Sequence, residues 1–439
     1  MSTATGLDRL IRCASGPEAA RPHWPGWGRL AVVCNATTLA SDGRPTAEAL
    51  ARLPNVRLER ICAPQHGFAA EKQDNMVPSA HGVHRNLRVP IVSLYGETRE
   101  LRPDALDGVD LLLIDLQDVG TRVYTFLITA LLAMRTARAA GVPVWLLDRP
   151  NPQMVGCDGP RLDPDFSSFV GLIDVPLQHD LTPAEYCLYG AQALELIDEA
   201  DALALAEEAR RAARAPADDA HGPVLSRDEW LGILPLHAWR RGMDYADADL
   251  LWTMPSPNMP ALETARVYPG QVMLEGTNIS EGRGTTRPFE CFGAPYLEPP
   301  AVKTWLEHER DDQGAGPLSG VLLREIAFES TFHKYTGETV RGFQLHLLDT
   351  CRFRPVRFTA ALIRTVHTMY PEAFAWRDPP YEYEYERMPI DVICGSDSFR
   401  AAVDAGATLA EITAPWTAGV HAFEEQIAPL RIYDPLGTL

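Results

Sequence analysis

Leu111-Leu-Leu-Ile-Asp-Leu-Gln-Asp118 begins with four consecutive apolar residues and passes straight into a polar cluster. A short apolar run without alternation suits a strand buried on both faces of a parallel sheet. Comparable runs lie on either side of it, at Arg29 to Cys34, Val56 to Ala63, Pro90 to Tyr95 and Pro143 to Asp148, and Val109 to Asp115 is the strand that holds the quoted run. Longer amphipathic stretches separate them, of which Tyr124 to Ala140 is the clearest helix. Strands that cross over through helices make the first half of the chain α/β, with a mainly parallel sheet.

Each of these strands ends in polar residues: Asn35, Gln65-His66-Gly67, Gly96-Glu97, Asp115-Leu-Gln-Asp118 and Asp148-Arg149-Pro-Asn151. Open α/β sheets bind ligands at the carboxyl ends of their strands, so the pattern points to one site on one rim. The competing reading is that Asp and Asn cap the helices that follow. Further on, Leu181 to Arg214 reads as helix, opened by Thr182-Pro183-x-Glu185, a capping box with proline at the first position. Ala213 to Gly222 is an Ala/Asp-rich linker, Ile233 to Trp239 a strand, and Trp252 to Pro260 an extended path stiffened by prolines. From residue 291 the pattern turns to strands (Leu322 to Phe328, Gly342 to Leu348) and helices (Arg357 to Met369, Ser398 to Ala405, Val420 to Ile427), an α+β unit. A boundary near Gly293-Ala-Pro295 gives two domains, 1–290 and 291–439. The alternation Tyr381-Glu-Tyr-Glu-Tyr-Glu386, if extended, puts tyrosines on one face and acids on the other, as in a packed edge segment or a sugar-stacking platform.

The net charge of −19 repels nucleic acid and anionic lipid, and no apolar run reaches the roughly 20 residues of a membrane span. The N-terminus lacks the basic start and apolar stretch of a secretory signal, so a cytoplasmic location is expected. The eight cysteines are spread singly among apolar neighbours, as reduced core residues are, and no Cys/His spacing suits a metal. His81 and His84 are close together but read as a solvated loop. Neither a metal nor an organic cofactor is expected: the dinucleotide, P-loop and nucleophile-elbow motifs are all absent.

Leu274-Glu-Gly-Thr-Asn-Ile-Ser-Glu-Gly-Arg-Gly-Thr-Thr-Arg-Pro-Phe-Glu290 gathers three carboxylates, two arginines and three glycines in one stretch. It has no hydrophobic period, so it is expected off the core faces, with its glycines allowing a close backbone approach to a ligand. Glu281 is the first candidate for an active carboxylate; a salt bridge to Arg283 or Arg287 that only holds the loop is the alternative. Glu71 is the second candidate, with a solvated loop acid as its alternative; Glu275 and Glu185 come after it, and Glu185 suits its capping box better than catalysis.

Several long motifs then occur in one order: Ser93-Leu-Tyr-Gly96, Asp115-Leu-Gln-Asp-Val-Gly-Thr-Arg-Val-Tyr-Thr125, Leu147-Asp-Arg-Pro-Asn-Pro152, Ser168-Phe-Val-Gly171, Pro255-Ser-Pro-Asn258, Tyr268-Pro-Gly270, and the 274–285 stretch with Arg287-Pro-Phe-Glu290. Together they resemble the exo-acting β-N-acetylmuramidases of the NamZ type over nearly the whole chain. The resemblance implies a Rossmann-like domain, a smaller C-terminal domain, a cleft between them, and release of N-acetylmuramic acid from the non-reducing end of peptidoglycan fragments. It also exposes a departure. The family pattern Pro-Glu-His-Gly, whose glutamate is implied as the catalytic carboxylate, here reads Pro64-Gln65-His66-Gly67, followed by a shortened Glu71-Lys-Gln-Asp-Asn75. A glutamine amide is no general acid or base at neutral pH.

Two explanations are open: Glu71 or Asp74 takes the role, or this branch binds or processes a different substrate. Glycoside hydrolysis usually draws on two carboxyl groups, although a 2-acetamido sugar can supply its own nucleophile. Muramic acid carries a lactyl carboxylate, for which Arg149, Arg283 and Arg287 are candidate grips. Asp118, Asn258 and Asn278 are candidates for sugar hydroxyls or the acetamide, His66 for orienting a carboxylate, and Gln65 for binding at the former acid position. The expected partner is a small carbohydrate or muropeptide. The alternatives are a non-catalytic sensor of cell-wall sugars, or a deacylase or transferase on the same scaffold.

Overall fold

Alternate residues of the central strands enter two different cores. Leu30, Val32, Leu111, Leu113, Trp145 and Leu147 face one, while Ala31, Val33, Leu112, Ile114, Val144 and Leu146 face the other. The Leu111 to Ile114 run is therefore buried on both sides, as its lack of alternation requires. The computed structural model describes residues 3–15, 28–54, 56–74, 76–215 and 222–436. Residues 216–221 of the Ala/Asp-rich linker, and Asn75, lie outside the described residues.

The first sheet has eight strands: β1 (Gly28–Val33), β2 (Val56–Ala63), β3 (Gly82–Val83), β4 (Pro90–Ser93), β5 (Leu111–Ile114), β6 (Val144–Leu147), β7 (Val224–Leu225) and β8 (Leu231–Leu234), in the order β3-β4-β2-β1-β5-β6-β8-β7. The six inner strands are parallel, and the short edges β3 and β7 pair antiparallel. The order reverses between β1 and β5, which makes that gap the topological switch point. Helices Gly6–Ser15 and Thr46–Leu50 cover one face; Phe126–Ala139 and Pro183–Ala193 cover the other.

A second sheet is antiparallel, with β9 (Cys291–Ala294), β10 (Val321–Glu329) and β11 (Thr339–Leu347) in the order β10-β11-β9. One hydrophobic core runs from Leu112 and Ile114 of the large sheet through Val272 and Leu274 to Phe292 and Phe343 of the small one.

Four expectations need correction. The stretch expected as one helix over Leu181 to Arg214 is two, Pro183–Ala193 and Glu199–Arg214. Glu195 turns left-handed between them (φ 57°), and the Asp198 side chain accepts the Asp201 N–H to open a new helix. The strand expected over Ile233 to Trp239 stops at Leu234, before Pro235. The final helix runs Leu409–Ile427, opened by a capping box from Thr408 and Glu411, with Pro415 inside it. The 274–290 stretch is not off the core: Leu274, Ile279 and Phe289 are at most 1% exposed, and all its charges except half-exposed Arg287 are buried in ion pairs.

Helix Leu262–Gln271, which contains Pro269, packs against helix Pro355–Met369, and the 3-10 turn that follows packs on Pro389–Cys394. The close approach is made at Gly270, where a Cβ would stand 1.9 Å from the Pro355 carbonyl oxygen. Gly270→Ala should push the two helices apart and lower the unfolding free energy by roughly 2–3 kcal/mol, read from urea denaturation; an unchanged midpoint would mean that this contact bears no load.

Candidate active site

The loop after β2 carries Gln65 and His66 to the carboxyl rim of the large sheet, and the loop after β5 ends in Tyr124 and Thr125 at the head of helix Phe126–Ala139. These residues line one side of a cavity. Ser256, Asn258 and Met259 form a second wall, and Tyr268, Arg283, Phe289, Tyr381 and Glu382 close it from the C-terminal side. The cavity is a slot of about 30 Å³, room for a water molecule or one projecting group rather than a sugar ring.

Glu382 is the one carboxyl in that lining among the described residues. It arrives on a two-residue hairpin turn: Tyr381 and Glu384 exchange both backbone hydrogen bonds at 2.9 Å, and Glu382 and Tyr383 between them are left-handed, with φ 45° and 68°. Two successive non-glycine residues in that region cost about 1–2 kcal/mol each, so surrounding contacts must hold the turn. The Tyr383 ring packs against Tyr95 and under the Arg99 guanidinium, 4.2 Å from its ring centroid. The Tyr381 hydroxyl donates to Glu275 at 2.8 Å. The tyrosine/acid alternation therefore forms a turn and not an extended edge.

Both oxygens of Glu382 accept hydrogen bonds, Oε1 from the Gln65 amide at 3.1 Å and Oε2 from the Tyr95 hydroxyl at 2.7 Å. The amide is oriented by the Thr125 hydroxyl, which donates to the Gln65 carbonyl oxygen at 2.5 Å and leaves the NH2 facing Glu382. Burial pushes the Glu382 carboxyl up to about 7, against the two donors. His66 is pushed down to about 4 by burial; its Nδ1–H donates to the Lys72 carbonyl, so at neutral pH the ring is uncharged.

The structure brings together Gln65, His66, Asn258 and Arg283 from the sequence-expected set. Asn258 donates to the Gln73 carbonyl. Arg283 is held by Glu275 at 2.6 Å and lies 3.5 Å from Glu281, with Phe289 beneath it. Burial opposes its charge, but the two glutamates keep it cationic.

Glu281 itself is fully buried behind the wall and outside the lining. It pairs with Lys334 at 2.7 Å and His333 at 3.1 Å; burial pushes its carboxyl up, but these cations and Arg283 hold it well below the usual range. Glu275 also lies behind the lining, bridging Arg283 and Tyr381. Glu71 is exposed beside Gly67. Arg287 points away, half exposed, onto Glu290, and Asn278 bonds Ala373 and Tyr296. Asp118 is buried, accepts the Gly120 N–H at 2.6 Å and is raised by burial to about 7.

Arg149 stands elsewhere, at the switch point between β1 and β5. It clasps Asp115 at 2.5 and 2.9 Å, and Thr46 bonds the same carboxylate. The ion pair forms part of the wall of a separate cavity of about 60 Å³, which Arg149 lines together with Leu39, Ser41, Gln117 and Trp252. A separate gathering of Cys157, Asp180 and Glu424 is the one metal-like cluster among the described residues, but Arg431 already neutralises it, reaching Asp180 at 3.0 Å and Glu424 at 3.4 Å. Of the eight cysteines, Cys351 is exposed and the rest are buried.

Comparison with known proteins follows the same architecture. Residues 30–263 match the family model described as exo-beta-N-acetylmuramidase NamZ, N-terminal, and residues 266–433 match its C-terminal counterpart. The chain belongs to the NamZ family. A relative from Bacillus subtilis (strain 168), the peptidoglycan beta-N-acetylmuramidase NamZ, is 34% identical over 348 residues, covering 79% of this chain and 74% of that protein. Two crystal structures of DUF1343 family proteins from Bacteroides fragilis NCTC 9343 share the fold. One has TM-score 0.75 and 23% identity over 98% of this chain and 99% of that one; the other has 0.64 and 21% over 99% and 100%. The NamZ models divide between residues 263 and 266, at the helix that packs on Pro355–Met369.

The residues that sequence reasoning did not single out are Glu382, Tyr95, Thr125 and Tyr381. Tyr95 and Thr125 lay inside quoted motifs; nothing in the Tyr-Glu alternation marked Glu382 above Glu384 or Glu386. For Glu281 the geometry predicts a structural penalty. Glu281→Gln leaves Lys334 and Arg283 with a buried partner removed, so the protein should lose about 3–5 kcal/mol of stability, seen as a lower Tm. A variant with unchanged Tm but no activity would instead make Glu281 a chemical group.

Proposed function

We propose that this protein is a glycoside hydrolase that releases N-acetylmuramic acid, or a close amino sugar, from the non-reducing end of small peptidoglycan fragments. The observation that carries the reading is the slot at the sheet rim, where one buried carboxyl and one buried arginine face the same space in a chain of the NamZ family. The carboxyl suits protonation of a leaving oxygen, and Arg283 supplies positive charge on the same wall for an anionic substituent. Residues 1–290 then carry most of the site and 291–439 close the cleft through the 381–384 turn. The substrate is a soluble muropeptide or disaccharide met in the cytoplasm; no described helix is long and apolar enough to cross a membrane.

A slot of about 30 Å³ admits a sugar only if a wall moves, and we take the 381–384 turn, whose two central residues are both left-handed, as the wall that moves. Incubation with a defined disaccharide muropeptide should yield free N-acetylmuramic acid by mass spectrometry, with slower hydrogen exchange in the 381–384 turn on binding. Calorimetric binding without release would replace the hydrolase reading with a sensor of cell-wall sugars; release with an unchanged turn would put the sugar elsewhere.

A further inference from the structure

Resting on the hydrolase reading, we propose that Glu382, delivered from the C-terminal part of the chain by its hairpin turn, is the carboxyl that protonates the leaving oxygen and later accepts a proton from the attacking water. Gln65 occupies the place where an acid was expected, and neither Glu71 nor Glu281 enters the lining, so the cavity would hold no proton donor of carboxyl type without Glu382. The local hydrogen bonds are arranged around that carboxyl. Thr125 fixes the Gln65 amide with its NH2 toward Oε1, and Tyr95 reaches Oε2 from the other side. An acid held by two donors, in a turn that neither of its central residues favours, is placed at a cost that only surrounding contacts sustain.

In the reaction the C1–O bond breaks with its electron pair staying on the bridging oxygen, which takes the Glu382 proton. The sugar's 2-acetamido oxygen bonds C1 as that bond breaks; water then adds to C1, displaces the acetamido oxygen and returns a proton to the Glu382 carboxylate, so the acid is regenerated and one water is consumed. Gln65 and Tyr95 are positioning residues: they hold the carboxyl, and both favour its ionised form.

The pH dependence follows. Facing Glu382 are Tyr95 and His66 from the sheet side, Tyr124 after β5, and Glu275, Arg283, Tyr268 and Tyr381 from the opposite wall. His66, at about 4, titrates well below neutrality, and burial raises Tyr95, Tyr124, Tyr268 and Tyr381 above their ordinary value. Glu382, at about 7, must be protonated to act, so the rate should fall as pH rises through that value.

The test uses the whole chain and a disaccharide muropeptide. Glu382→Gln should cut sugar release by about 100-fold or more while calorimetric binding persists. In Tyr95→Phe, loss of a donor to the carboxylate should move the high-pH limb upward. In Gln65→Glu, a second carboxyl against the first should also shift the limb upward, by like-charge repulsion. If the wild type releases sugar and Glu382→Gln keeps its rate within tenfold, the assignment to Glu382 falls and the hydrolase reading stands. If the wild type binds but releases nothing, the hydrolase reading itself falls. Should Glu382→Gln fail to fold, an unmoved limb in both other variants overturns the assignment.

Discussion

A guanidinium with almost no exposed surface, Arg283, ties the C-terminal wall of the slot together. Burying such a charge is tolerable only with opposite charge beside it, and Glu275 and Glu281 provide it. Glu281 in turn is matched by Lys334 and His333, and Lys334 also donates to the carbonyls of Leu274 and Ile279, which stitches the 274–290 stretch to the strand connection after β10. On its other side Glu275 accepts the Tyr381 hydroxyl, fixing the start of the turn that carries Glu382. A single run of charge and hydrogen bonding thus leads from a structural anchor at Lys334 to a titratable group in the cavity.

The large sheet was legible because its signal is local and strong. Leu111 to Ile114 has no polar residue to give a face to water, and the structure buries it on both sides. Helix Leu262–Gln271 was hidden for the opposite reason: Pro269 and Gly270 read as breakers, yet tertiary packing needs a small residue there to bring the backbone against Pro355. The 274–290 stretch misled in the same way. Its charges suggested solvent, but Glu275, Glu281, Arg283 and Glu290 are buried in ion pairs, Glu281 with Lys334 and His333 from a later segment, and pairing of that kind leaves no periodic trace in the sequence.

The site was half legible. Gln65 and His66 follow β2, and their place on the sheet rim follows from the rule that strands of a parallel sheet all end on one side, whereas Asn258 and Arg283 sit in motifs on loops that no strand end of that sheet places. Glu382 comes from a segment 317 residues further along than Gln65, and its pairing depends on how the second unit docks on the first. No local pattern encodes such a contact. Arg149 shows the converse: it ends a strand, as a ligand-binding residue would, but its partner Asp115 stands at the end of the neighbouring strand, and the two consume each other.

Glutamine in an acid's place is usually read as a loss of function. Here the amide adds something a carboxylate lacks, a donor, and the group it faces is a buried acid that needs one. With glutamate at position 65, two carboxyls about 3 Å apart would share a proton and neither would titrate independently. With Gln65, Glu382 faces an amide in place of a second carboxyl, and burial raises its carboxyl against the hydrogen bonds from Tyr95 and Gln65. On the proposed assignment, the site keeps a carboxyl at Glu382, carried by a turn on the wall opposite the loop after β2.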